Sequence, residues 1–111
     1  MIQPVRDRAS FAALRRSGRR VRRGPLTLTF VPGAPDDPLR VAYAIGRTVG
    51  GAVVRNLLRR RLRVVVSELG PLLQPGAYLI AAAPGAASLS FGELRAAVAE
   101  ALEDLLGTRN R

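Results

Sequence analysis

At 111 residues the chain has room for one domain with one modest core. Its 48% hydrophobic content is that of a globular protein, and its formal net charge of +10, from eighteen basic against eight acidic residues, draws polyanions to its surface. With no cysteine and no histidine, the sequence excludes disulfides, thiolate metal sites and the commonest general base.

In chain order, Ser10 is a plausible N-cap for a short helix that places Phe11, Leu14 and Val5 on one side and stops at Gly18. A basic approach, Arg19 to Pro25, leads into Leu26–Val31, whose Leu/Phe and Thr/Thr alternation predicts a half-buried strand. Residues 32–38, PGAPDDP, are turn chemistry throughout: proline fixes φ, and Asp bonds its own backbone. The paired carboxylates Asp36 and Asp37 lack a third ligand nearby, so they read as turn residues. A second strand, Leu39 to Gly46, is expected to return antiparallel as a hairpin with the first.

Gly51 to Gly70 has the clearest helical pattern. Val54, Leu58, Leu62, Val65 and Leu69 gather on one face, while Arg55, Arg59 and Arg63, spaced four apart, line an adjacent edge with Asn56 and Arg60 beside them. Val53, Leu57 and Val64 make a second apolar strip, expected to meet another element. Pro71 and Gln74-Pro75-Gly76 end the helix. Ala77–Ala82 reads as a buried strand reached by a crossover, giving a β-α-β unit. Ser90, with Glu93 three positions on, opens a last helix whose stripe is Leu94, Val98, Ala101, Leu102 and Leu105; Gly107 ends it. The expected fold is an α+β sandwich of helices against one mixed sheet, a single domain over 1–111 with flexible tails at about 1–6 and 107–111.

Gly46 to Arg63, GRTVGGAVVRNLLRRRLR, joins a strand end and a glycine turn to the arginine-bearing helix. This stretch resembles the signature of the ribonuclease P protein family, a Gly-x-Ala-Val-x-Arg-Asn segment followed by a basic pair and a further Arg. The match runs through Gly50, Ala52, Val53, Arg55, Asn56, Arg59, Arg60 and Arg63. The order of elements along the chain agrees as well. The resemblance implies an α-β-β-β-α-β-α sandwich on a mixed four-stranded sheet. It also implies a left-handed β-α-β crossover, against the general preference for right-handed ones.

It implies further that an RNA subunit performs Mg²⁺-dependent phosphodiester hydrolysis, the ion being bound mainly by that RNA. The protein then holds the RNA and contacts the 5′ leader of precursor tRNA. By position, Arg47, Arg55, Asn56, Arg59, Arg60 and Arg63 match the segment facing the catalytic RNA. Phe11 matches an aromatic of the leader cleft between sheet and first helix. Arg15 and Thr29 stand where further aromatics are common, so leader contact shifts toward guanidinium and hydroxyl groups there. Leu57 and Val64 replace polar residues of the family pattern, and Ala83 stands where an Arg is frequent. The closing Thr108-Arg109-Asn110-Arg111 imitates the motif without its context and reads as a solvated tail.

The competing interpretation of the arginine edge is a merely solvated helix face. Such faces mix Glu with Arg, yet no acid occurs from Val41 to Ser67, and this self-repelling surface calls for an outside polyanion. All eighteen basic residues are Arg, which suits bidentate phosphate contact, although codon bias in a GC-rich genome accounts for it equally well. A ribosomal or other structural RNA-binding protein is the runner-up; a DNA-binding regulator fails for want of a helix-turn-helix. A stand-alone nuclease fails because Glu93, Glu100, Glu103 and Asp104 read as the wet face of the last helix. An anionic membrane lacks its requirements: Trp is absent and no apolar run nears the roughly 20 residues of a span. Met1 to Asp7 lacks the apolar core of a secretory signal, so the expected location is the cytoplasm. No obligatory protein partner is evident.

Overall fold

A computed structural model describes residues 2–107. A mixed sheet carries helices on both faces. Its strands are β1 (Ile2–Pro4), β2 (Arg19–Arg23), β3 (Leu26–Pro32), β4 (Leu39–Ile45) and β5 (Gly76–Ala82), in the spatial order β1-β4-β5-β3-β2. The helices are α1 (Arg8–Ser17), α2 (Ala52–Glu68) and α3 (Phe91–Leu106).

Strand β5 explains the order. Tyr78 and Ile80 face one side and Ala77 and Leu79 the other, each apolar, so this strand must be covered on both faces and sits centrally. It pairs parallel with β4 and antiparallel with β3. The predicted hairpin between Leu26–Val31 and Leu39–Gly46 is therefore absent, because β5 lies between those strands. The turn reading of residues 32–38 holds: Asp37 accepts a hydrogen bond from the Ala34 amide (2.8 Å) and returns its own amide to Ala34 O (2.9 Å). The loop leads the chain away from β3 rather than back along it.

The hairpin lies one step earlier. Arg19–Arg23, read from sequence as an approach, is an edge strand that pairs with β3 from Arg19↔Phe30 to Arg23↔Leu26. Gly24, at φ 57°, and Pro25 make the two-residue turn, glycine supplying the positive φ and proline its fixed one. Val21 packs on the core, Arg19 donates to Leu105 O at 2.9 Å, and Arg23 pairs with Asp104 of α3. Strand pairing and these α3 contacts stabilise a segment whose four arginines hide its strand character.

Part of the presumed N-terminal tail is also built in, since Ile2–Pro4 pairs in parallel with Leu39–Val41. The sheet thus has five strands instead of four. Residues 108–111, where the rest of the expected tail and the motif-like ending fall, lie outside the described residues.

On one face, β3, β4 and β5 present Leu28, Phe30, Val41, Tyr78 and Ile80 to α2 and α3, with Phe30 and Tyr78 stacked at 4.6 Å between ring centroids. The Tyr78 hydroxyl donates to Gln74 O (2.7 Å) and accepts from the Gln74 amide (2.9 Å), and burial pushes its pKa up to about 12. The other face carries α1, whose Leu14 and partly buried Phe11 join Val5 against Ala42 and Ala77. Asp7, not Ser10, caps α1, accepting from the Ser10 amide at 2.9 Å; Val5 precedes the helix but is buried beside it. Gly18 is required where α1 meets β3, since a Cβ there would lie 2.3 Å from Thr29 Cγ2 and 2.8 Å from Leu14 O.

The α3 start has both capping-box bonds, Glu93 amide to Ser90 Oγ and Ser90 amide to Glu93 Oε1, and its expected apolar stripe is buried. Helix α2 buries Leu58, Leu62, Val65 and Val66, with Leu69 just beyond its end. Two points of the predicted face change: Val54, in the first turn, is 41% exposed, and Val66 takes a core position. The helix starts at Ala52, so its first turn projects beyond the sheet-facing contacts.

Candidate nucleic-acid interface

The chain enters α2 through a short 3-10 turn, Arg47–Val49, anchored by buried Val49 and leaving Arg47 in solvent. Arg55 is half-buried, and its Nε donates to Gly50 O at 3.1 Å, so part of its fork secures the turn. Asn56 and Arg60 are exposed, and Arg59 donates to Asn56 Oδ1 at 3.1 Å, which orients its guanidinium along the helix. Arg63, also exposed, lies with its guanidinium carbon 5.8 Å from the Tyr43 ring centroid. The single acid of α2, Glu68, is engaged by Arg95 of α3 at 3.0 Å. The arginine face is left without a carboxylate of its own.

A groove of about 840 Å³ opens beside this face, between α1 and α2. It exists because β1 stops at Pro4 and leaves the outer side of β4 uncovered beyond Val41. Phe11 stands on its α1 side, Arg59 and Arg63 on its α2 side, and Ala42 and Tyr43 of β4 line it between them. Burial raises the Tyr43 pKa, an effect that the Arg63 charge partly offsets, so at neutral pH the group is a protonated phenol on an aromatic platform. An aromatic ring, a guanidinium over it and a second ring across the gap can hold an unpaired base and its phosphate together.

The predicted site residues divide accordingly. Phe11, Arg59 and Arg63 share the groove; Arg47, Asn56 and Arg60 stand on the exposed surface of the turn and helix. Arg15 is exposed on α1 but does not line the groove. Thr29 is corrected: it is 3% exposed, its methyl pressed toward Gly18 where α1 ends, and it cannot reach a bound strand. Ala83 uses its backbone, donating to Pro25 O at 2.8 Å. Tyr43 was missed, because in sequence it is one apolar-strand residue among several and only the early end of β1 uncovers it. Among the described residues no group of three acidic side chains comes together to hold a metal ion, and no helix is long and apolar enough to cross a membrane.

A basic helix face and an aromatic groove on an α+β sandwich define a class of protein that presents one built surface to a polyanion. The ribonuclease P family model matches residues 3–106. The ribonuclease P protein component of Streptomyces avermitilis is 37% identical over 112 residues, covering 93% of this chain and 91% of that one. Among solved structures, the RNase P protein of Staphylococcus aureus superposes with a TM-score of 0.81 at 16% identity, over 91% of this chain and 93% of the other. That of Thermotoga maritima does so with a TM-score of 0.78 at 18% identity, over 92% and 96%. The chain belongs to the ribonuclease P protein family, whose members are the protein subunit of a ribonucleoprotein endoribonuclease.

Proposed function

We propose that this chain holds the catalytic RNA of ribonuclease P on the exposed arginine face of α2 and guides the 5′ leader of precursor tRNA into the adjacent groove. The observation that carries this reading is the juxtaposition of Arg59 and Arg63 with Phe11 and Tyr43 around one opening. Arg47, Arg59, Arg60 and Arg63 neutralise RNA phosphates by bidentate contact, with Asn56 fixing Arg59 and the free nitrogens of Arg55 adding to the set. Phe11 and Tyr43 stack on unpaired leader bases, and Arg15 extends the positive field along α1.

Hydrolysis belongs to the RNA subunit. Mg²⁺ in this reading is held by RNA phosphates, the protein offering arginines that offset the crowding of charge around it. The removal of the leader from tRNA precursors takes place in the cytoplasm, with no further protein subunit required.

The test is reconstitution: purified protein, a bacterial ribonuclease P RNA and a precursor tRNA at limiting Mg²⁺, with the cleaved 5′ end mapped. Protein-dependent cleavage at the mature terminus is expected. RNA binding without any effect on cleavage, with the cognate RNA included, would instead identify a structural RNA-binding protein.

A further inference from the structure

The crest of α2 that points away from the sheet is not wholly polar. Val53, Leu57 and Val64 are 82%, 43% and 44% exposed, so the strip expected to meet another element stays open to solvent among the described residues. Spacings of four and seven put the three side chains in one row about 16 Å long. The gap between Leu57 and Val64 is occupied by Arg60 and Arg61, whose stems are aliphatic up to the guanidinium. Scattered exposed apolar residues are ordinary, but a continuous row within a basic surface marks a contact site.

Charge decides the occupant. A second copy of the chain packed on this row would set Arg60 and Arg61 against their own images, with no acid between Val41 and Ser67 to relieve them. A single-stranded or bulged RNA offers what the row needs, apolar base faces alternating with negative phosphates. We infer that the crest is a stacking ridge for the catalytic RNA: Val53, Leu57 and Val64 receive unpaired bases while Arg60 and Arg61 hold the flanking phosphates. The inference rests on the proposed function and adds a non-electrostatic component to it.

The experiment measures affinity of the full chain for ribonuclease P RNA across a monovalent salt series, for wild type, Leu57→Gln, Val64→Gln and Arg60→Gln. All three side chains are exposed, and thermal melts confirm that the variants fold. Leu57→Gln and Val64→Gln should each weaken binding on the order of fivefold at every salt concentration, leaving the log-log slope unchanged. Arg60→Gln should make the slope shallower. Wild-type affinity in both apolar variants, or a loss that appears only as a changed slope, overturns the ridge. A wild-type dimer that Leu57→Gln dissociates while RNA affinity stays unchanged overturns it too, and makes the row a self-contact. Should the wild type bind ribonuclease P RNA no better than an unrelated folded RNA, the functional reading fails first and the ridge with it.

Discussion

The Arg63 guanidinium carbon lies 5.8 Å from the centroid of the Tyr43 ring, joining the arginine face of α2 to the β4 wall of the groove. Desolvation raises the Tyr43 pKa and the nearby positive charge lowers it, because a cation favours the phenolate. Replacing Arg63 with Gln removes only the lowering effect. The earlier of the two tyrosine transitions, followed by ultraviolet absorbance, should therefore move to higher pH, while Tyr78 still titrates near about 12. An unmoved transition would show that the two groups do not interact in solution.

Arg60 and Arg55 should separate by their effects on folding. Substituting Arg60 with Gln leaves the melting temperature unchanged and reduces the log-log salt slope of RNA binding by roughly 0.7 to 0.9, one phosphate contact. Substituting Arg55 removes the bond from its Nε to Gly50 O as well, so the protein melts at lower temperature and binds RNA more weakly. Calorimetry and filter binding on the same preparations check both.

Phe11 is half-buried against Val5 and Leu14 and also lines the groove. Phe11→Leu preserves most of the packing and removes the ring. It should weaken binding of precursor tRNA by about 1 to 3 kcal/mol, the range for one base stack, and leave mature tRNA nearly unaffected. Equal losses on both RNAs would assign the ring to packing alone.

Gly18→Ala should destabilise the fold by about 1 to 3 kcal/mol through overpacking at the junction of α1 and β3. Its added carbon meets both Thr29 Cγ2 and Leu14 O. Thr29→Ser removes the methyl but not the carbonyl, so the double variant recovers part of the loss. Urea denaturation of the four proteins gives the coupling.

Asp7 caps α1 and pairs with Arg40 at 3.3 Å, and the Ser10 amide holds its pKa below the usual 3.8. A depressed carboxylate stabilises the fold above its unfolded pKa and ceases to do so as pH falls through the folded value. The gap in melting temperature between wild type and Asp7→Ala is therefore expected to be constant near neutrality and to close below about pH 4.

Much of this protein is legible in its sequence. Period-3.6 patterns locate α2 and α3, period-2 alternation locates β3, an unbroken apolar run locates β5, and the capping box sets the start of α3, because these signals depend on near neighbours along the chain. The acid-free run from Val41 to Ser67, with its arginines spaced four apart, likewise points to a polyanion, since charge pattern needs no tertiary context. Strand β2 escapes because arginine pairs and turn residues mask a segment whose support comes from β3 and from α3 carboxylates. The pairing of β4 with β5, not β3, is decided by which strand must be buried on both faces, a competition among distant segments. The groove, the place of Tyr43 in it and the withdrawal of Thr29 follow from where β1 ends and where α1 meets the sheet. Sequence determined the helix, its charge and its family, all local or compositional properties; tertiary packing decided which side chains reach solvent together, because exposure is set by contacts between residues far apart in the chain.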